Sequence, residues 1–136
     1  MTGETRVRVR YAETDQMGVV YHANYLVWFE IGRVELIRQT GLDYKSMEQV
    51  EGCGIAVVEA NVRYRAPARY DDELVVRTRV EGVRGSIVKF VYAIHREADD
   101  LLLCEGSTTN VVVDRTMKKA AMPERFAEAF RTVMGK

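Results

Sequence analysis

Residues 6 to 11 read Arg6-Val7-Arg8-Val9-Arg10-Tyr11, an alternation of polar and apolar positions that predicts a strand with Val7, Val9 and Tyr11 on one face. The alternation then stops. A loop containing Gly18 leads to Asn24, a residue type that caps helices, and a largely apolar run begins there. The predicted helix extends to about Thr40, and Gly41 ends it. Its first half, Tyr25-Leu26-Val27-Trp28-Phe29, is apolar all round, whereas its second half sets Val34, Leu36 and Ile37 among Arg33, Glu35, Arg38 and Gln39. An unstriped apolar segment needs neighbours on every side. A short helix or turn through Tyr44 to Gln49 follows.

From Gly54 onward the pattern returns to alternation and predicts four successive strands. The first places Ala56, Val58, Ala60, Val62 and Tyr64 on one face with Glu59, Asn61, Arg63 and Arg65 opposite, and Pro67 ends it. The second spans about Glu73 to Arg84 with Leu74, Val76, Thr78 and Val80 inward. The third spans about Ile87 to Glu97 with Val88, Phe90, Tyr92 and Ile94 inward, leaving His95 on the polar, exposed face. The fourth runs from about Leu101 to Asp114. Gly82, Gly85 and Ala98-Asp99-Asp100 supply the turns. A last helix is expected from about Pro123 to Val133, with proline in its first position and Phe126 and Phe130 four apart. An antiparallel sheet curved around the long helix satisfies both periodicities, which makes the fold α+β. Such a sheet has edges and an open face that dimerisation covers.

Composition narrows the partners. At 136 residues the chain has the size of a single domain, taken as 1–136, with a core that needs no disulfides. Twenty Lys plus Arg against twenty Asp plus Glu give no global field for nucleic acid or an anionic membrane. Cys53 and Cys104 form neither a C-x-x-C pair nor a disulfide framework, and a reducing compartment fits them. Residues 1–6 lack an apolar signal segment, and no run reaches the roughly 20 apolar residues of a membrane span. A cytoplasmic protein is expected.

Candidate chemistry concentrates in Asp15-Gln16-Met17-Gly18-Val19-Val20-Tyr21-His22-Ala23-Asn24. A carboxylate there precedes the start of the apolar helix, whose first backbone N–H groups are unpaired and carry partial positive charge. An oxyanion is held at such a helix start while Asp15 attacks or activates water. The plainer role for Asp15 is a loop aspartate that caps a turn.

The run from Val9 through Leu26, continuing to Phe29-Glu30 and Arg33, resembles the hot-dog fold and, within it, the 4-hydroxybenzoyl-CoA thioesterase-like family of acyl-CoA thioesterases. The likeness extends through Arg63-Tyr64-Arg65-Ala66-Pro67, Asp72-Glu73-Leu74 and Ser86 to Tyr92. Two departures are visible. Asp72-Glu73 stands where many relatives carry Gly-Asp, and Lys118 to Pro123 keeps only part of a Gly-Lys-x-x-x-x-Pro pattern.

The resemblance implies a curved antiparallel sheet around a central helix and hydrolysis of an acyl-CoA thioester to a free acid and coenzyme A, with no metal or organic cofactor. It assigns Asp15 as nucleophile or general base and places the oxyanion at the helix start near His22 and Ala23. For His22 two roles stay open, a backbone N–H on the thioester carbonyl or an imidazole that orients Asp15 or water. Tyr21 and Asn24 position the loop and cap the helix. Glu30 is a rival acid, with an ion pair to Arg33 as its structural reading, and Glu13 reads as an exposed loop carboxylate. Coenzyme A phosphates require local cations. The candidates are Arg63, Arg65, Arg84 and Lys89 with Ser86, and further along Arg115, Lys118 and Lys119. A homodimer is the expected minimal unit and a homotetramer the expected assembly. Two other readings fit the same residues: hydration or dehydration of an acyl thioester, and a non-catalytic acyl-CoA binding module.

Overall fold

The computed structural model describes residues 2–135, so expectations that touch residues 1 and 136, including the outer limits of the 1–136 domain, lie outside the described residues. The chain runs β1 (Gly3–Arg8), a 3-10 turn (Tyr11–Glu13), α1 (Asn24–Gln39), α2 (Tyr44–Val50), β2 (Cys53–Tyr64), β3 (Glu73–Arg84), β4 (Ile87–Arg96), β5 (Leu102–Asp114) and α3 (Glu124–Met134). All five strands join one curved antiparallel sheet in the order β1-β3-β4-β5-β2. With α1 against its inner face, this is the hot-dog arrangement.

The inward residues of β3 and β4 follow the alternation: Leu74, Val76, Thr78 and Val80, then Val88, Phe90, Tyr92 and Ile94, are all buried. From α1 they receive Trp28, Phe29, Leu36 and Ile37. Phe29 stacks on Tyr92 with ring centroids 4.2 Å apart, and the Tyr92 hydroxyl shares a 2.6 Å hydrogen bond with Thr108 Oγ1. Phe29 also explains Gly106: a Cβ there would sit 3.0 Å from the Phe29 ring and collide with the Asn61 carbonyl. Helix α3 closes one end of the core by burying Phe126 and Phe130, the latter edge-on to Phe90 at 5.7 Å. Pro123 precedes this helix at its cap position, one residue earlier than expected.

Three local expectations are corrected. First, β1 stops at Arg8, because Val9 turns to pair with the loop before β3: Val9 N–H donates to Asp72 O at 2.9 Å and Asp71 N–H to Val9 O at 3.0 Å. Tyr11 therefore leaves the strand face and is 78% exposed, edge-on to Tyr70 at 5.4 Å. Second, Glu13 is buried, because its carboxylate accepts the Arg10 N–H at 2.7 Å and the Arg10 guanidinium at 3.2 Å, and so ends the 3-10 turn.

Third, β2 does not keep one face throughout. Val57 pairs with Asn110 and Glu59 with Thr109, leaving Val58 as the extra residue of a β-bulge. An inserted residue inverts the side-chain parity beyond it. Val57 and Ala60 accordingly line one groove with Leu26 and Val27 of α1, while Val58 is 62% exposed. Because β2 is also an edge strand, this half of α1 has a single open flank, with Leu26, Val27 and Ile31 exposed.

Candidate active site

The segment between β1 and α1 is shaped by a tight turn. Asp15 N–H donates to Val19 O at 2.9 Å and Gly18 N–H to Asp15 O at 3.0 Å. Gly18 has φ +77°, a left-handed conformation that glycine adopts without steric cost. Asp15 Oδ1 accepts the Met17 N–H at 2.8 Å, so the turn-capping role is present. It occupies one oxygen only. Asp15 Oδ2 has no hydrogen-bond partner among the described residues. Both arms of the turn are tied down: Thr14 bridges Val20, Val20 N–H donates to Ala68 O at 2.9 Å, and Tyr21 N–H donates to Glu13 O at 2.9 Å.

The start of α1 follows at once. Asn24 N–H donates to Tyr21 O, Tyr25 N–H to His22 O at 3.4 Å and Leu26 N–H to Ala23 O at 3.2 Å. The amides of His22 and Ala23 make no hydrogen bond among the described residues. Asn24 does not cap the helix as expected. Ala23 holds the cap position already in helical conformation (φ −68°, ψ −22°), and no side chain caps it. A side-chain cap requires an extended residue at that point, which the turn at residues 21–23 does not provide. The Asn24 amide instead donates to Glu13 O at 2.9 Å, fastening the helix start to the 3-10 turn.

Asp15 and His22 line one cleft of about 360 Å³, together with Tyr25, Tyr64, Arg65 and the apolar wall of Met17, Val19, Val20, Ala66 and Pro67. Tyr64, the last residue of β2, donates its hydroxyl to His22 O at 2.9 Å, and its ring stands edge-on to Tyr25 at 5.4 Å and to His22 at 6.2 Å. Tyr25 in turn accepts the Ala68 N–H on its hydroxyl at 3.1 Å. Burial pushes both phenols above the ordinary tyrosine value, so each keeps its proton at neutral pH. The Cys104 thiol, paired across from Tyr64, is pushed by burial to about 12 and offers no thiolate.

The remaining candidates separate in space. Tyr21 is exposed, with its ring 4.5 Å from that of His22, and is not among the cleft walls. Arg65 borders the cleft and forms an ion pair with Glu105 at 2.7 Å. Arg63, Arg65 and Lys89 share a polar groove of about 310 Å³ on the outer sheet face, where Lys89 meets Glu81 at 3.1 Å and Arg63 has no ion pair among the described residues. Arg84 and Ser86 occupy the β3–β4 hairpin. The hairpin end of β4 pairs with Val111, whereas Ile94 pairs with Cys104 beside Tyr64, so these two lie about 23 Å along the strand from the cleft. Arg115, Lys118 and Lys119 sit on the exposed turn after β5.

Glu30 and Arg33 form no ion pair; Arg33 turns instead towards the Tyr92 hydroxyl at 3.4 Å. His95 is half-buried and not exposed, because Arg77 Nη1 lies 3.0 Å from its Nδ1. The walls supplied by Tyr25, Ala66 and Pro67 are absent from the sequence-derived site. Their signs in the sequence were the proline after β2 and their places in the runs from Val9 to Leu26 and from Arg63 to Pro67 that carry the family resemblance. Among the described residues no cluster of His, Cys, Asp or Glu is placed to hold a metal ion, and no helix is long and apolar enough to cross a membrane.

A profile of the thioesterase-like superfamily matches residues 9–130. The Bacillus subtilis protein YneP is 41% identical over 124 residues, covering 91% of this chain and 86% of its own. The Escherichia coli acyl-CoA thioester hydrolase YbgC is 36% identical over 126 residues, 92% of each chain. Among solved structures, the DHNA-CoA thioesterase of Staphylococcus aureus matches with a TM-score of 0.92 at 33% identity, over 98% of this chain and 91% of that one.

Proposed function

The chain belongs to the thioesterase-like superfamily and is a thioester hydrolase, and from that premise we propose that it hydrolyses an acyl-CoA to a free carboxylic acid and coenzyme A at the Asp15 cleft. One observation carries this reading: a carboxylate oxygen without a partner lines the same cleft as His22, and the amides of His22 and Ala23, the two residues just before α1, make no hydrogen bond among the described residues. The thioester carbonyl sits against the His22 and Ala23 N–H groups, where the helix dipole favours the negative charge that develops on its oxygen. Asp15 then acts in one of two ways. As nucleophile it bonds to the carbonyl carbon, the C–S bond breaks, the thiolate takes a proton from water, and water cleaves the resulting anhydride. As base it takes a proton from a water that attacks the same carbon, the tetrahedral intermediate collapses with cleavage of the C–S bond, and the departing thiolate takes the proton back from Asp15.

The other residues follow from their places. Tyr21 and Asn24 hold the turn between Asp15 and α1, and the His22 imidazole orients Asp15 or water. Arg65 at the cleft edge, with Arg63 and Lys89 in the adjoining groove, binds coenzyme A phosphates. Arg84 and Ser86 reach a cleft only from another copy of the chain. The edge position of β2 and the exposed Val57, Val58, Leu26 and Val27 support a homodimer joined along β2, the unit from which a homotetramer is built. We place the protein, acting as one domain, in the cytoplasm.

The test is thiol release from a panel of short, long and aromatic acyl-CoAs. Wild-type protein is expected to release thiol from at least one, and Asp15→Asn to release none while keeping its thermal midpoint. Near-normal turnover by Asp15→Asn would refute the assignment. Single-turnover hydrolysis in ¹⁸O-water identifies the nucleophilic route when water attacks the Asp15 carbon of the anhydride, since label then remains in the Asp15 carboxylate, which the base route never leaves there.

A further inference from the structure

We infer that Tyr64 is a positioning residue for the oxyanion site, acting through the His22–Ala23 peptide; this rests on the reading of that helix start given above. The peptide unit is planar and trans, so the His22 C=O and the Ala23 N–H point in opposite directions and rotate together. Whatever fixes the carbonyl fixes the amide.

The helix itself fixes it poorly. Its own bond to the His22 carbonyl, from Tyr25 N–H, is 3.4 Å long, outside the usual range of N–H···O bonds. Tyr64 supplies the short bond, 2.9 Å from its hydroxyl to the same oxygen. The phenol is itself held. Its backbone lies in the β2–β5 ladder opposite Cys104, and its half-exposed ring stands edge-on to Tyr25 at 5.4 Å and to His22 at 6.2 Å. A strand that ends far along the chain thus sets the plane of a peptide at the start of α1.

The bond has a second effect. Donation to a peptide carbonyl polarises that peptide, which makes its N–H a stronger donor in turn. With Tyr64 in place, the Ala23 N–H is aimed outward from the helix start and strengthened as a donor for a developing oxyanion. Tyr64 touches no reacting atom; it acts through the backbone of His22 and Ala23.

Tyr64→Phe keeps the ring and removes only the hydroxyl. In the thiol-release assay kcat is expected to fall about ten-fold, the value of one ordinary hydrogen bond, with KM little changed and the thermal midpoint within a few degrees. A second readout excludes a merely structural role. A carbonyl-labelled acyl-CoA bound to Asp15→Asn protein has its C=O stretch lowered by the oxyanion donors, and adding Tyr64→Phe is expected to return part of that shift. A kcat within two-fold of wild type, or an unchanged carbonyl stretch, overturns the inference even if Asp15→Asn is inactive and the hydrolase reading stands. If Asp15→Asn turns over normally, the acid assignment falls, and the kcat of Tyr64→Phe still decides the role of Tyr64.

Discussion

The chain builds the same turn twice. At residues 15–18 and again at 114–117 an aspartate N–H donates to the carbonyl four residues on, the aspartate carbonyl accepts from the residue three on, and Oδ1 accepts the N–H two on. The fourth residue is left-handed in both, Gly18 at φ +77° and Met117 at +65°. Each turn borders a cleft, of about 360 and 380 Å³. Shape and size therefore do not tell the two apart. The hydrogen bonding of the acid does. Asp114 Oδ1 accepts from Thr116 N–H, Thr116 Oγ1 and Lys118 N–H, and these bonds hold the carboxyl below the ordinary aspartate range. Asp15 Oδ1 accepts one, and the chain beyond it opens into a helix start with unpaired amides. A turn aspartate becomes a candidate for chemistry when the turn leaves its carboxylate underused next to donors that are underused too.

Neutralising each acid in turn is expected to give the largest difference between the two turns. Asp15→Asn is expected to lower turnover by about a thousand-fold or more with little change in thermal midpoint, because an amide oxygen still accepts the Met17 N–H. Asp114→Asn is expected to do the reverse, keeping kcat within about two-fold of wild type while lowering the midpoint. Equal kinetic effects in a side-by-side assay would erase the distinction.

Gly18→Ala comes next. No atom lies within 4 Å of the added methyl, so its cost is conformational, about 1 kcal/mol for a left-handed alanine. Urea melts measure that loss, and kcat should fall with it as the Asp15 turn relaxes.

A smaller effect is the pH dependence of the Asp114 turn. Asp114 has its folded pKa lowered, so its contribution to stability is present above the ordinary value of 3.8 and is lost as pH falls from there through the folded value. The gap between the thermal midpoints of wild type and Asp114→Asn should narrow as pH falls below 3.8; a gap that stays constant with pH would contradict the assignment of the carboxylate as the stabilising form. Smallest of all is Met117→Gly. Relief of a left-handed methionine, about 1 kcal/mol, is largely offset by glycine's backbone entropy. Denaturant midpoints should rise by no more than about 0.5 kcal/mol equivalent.

Much of this was legible along the chain because the signals are local. Alternation placed the inward faces of β3 and β4, and the apolar run of α1 required a sheet around it. Misreadings fell where a specific partner, near or distant along the chain, overrode a rule based on pattern alone. Val58 is invisible as a bulge because an inserted residue alters pairing, not composition. Glu13 reads as an exposed loop acid until Arg10 folds back to donate to it. Asn24 reads as a cap until Glu13 O takes its amide, and Glu30 loses its expected partner when Arg33 turns to Tyr92.

By itself the sequence determined the order and character of the elements, the resemblance to a thioesterase family, and the position of the acid before the helix, since each depends on neighbours a few residues apart. Tertiary structure decided the wall that closes the cleft around Asp15, with Tyr25 held by the Ala68 N–H. It also brought Tyr64 from the end of β2 to the carbonyl of His22, and left β2 as an open edge with Val58 outward. The physical reason is the same in each case: a hydrogen bond or a wall contributed by residues 40 or more positions away leaves no periodicity in the segment that receives it.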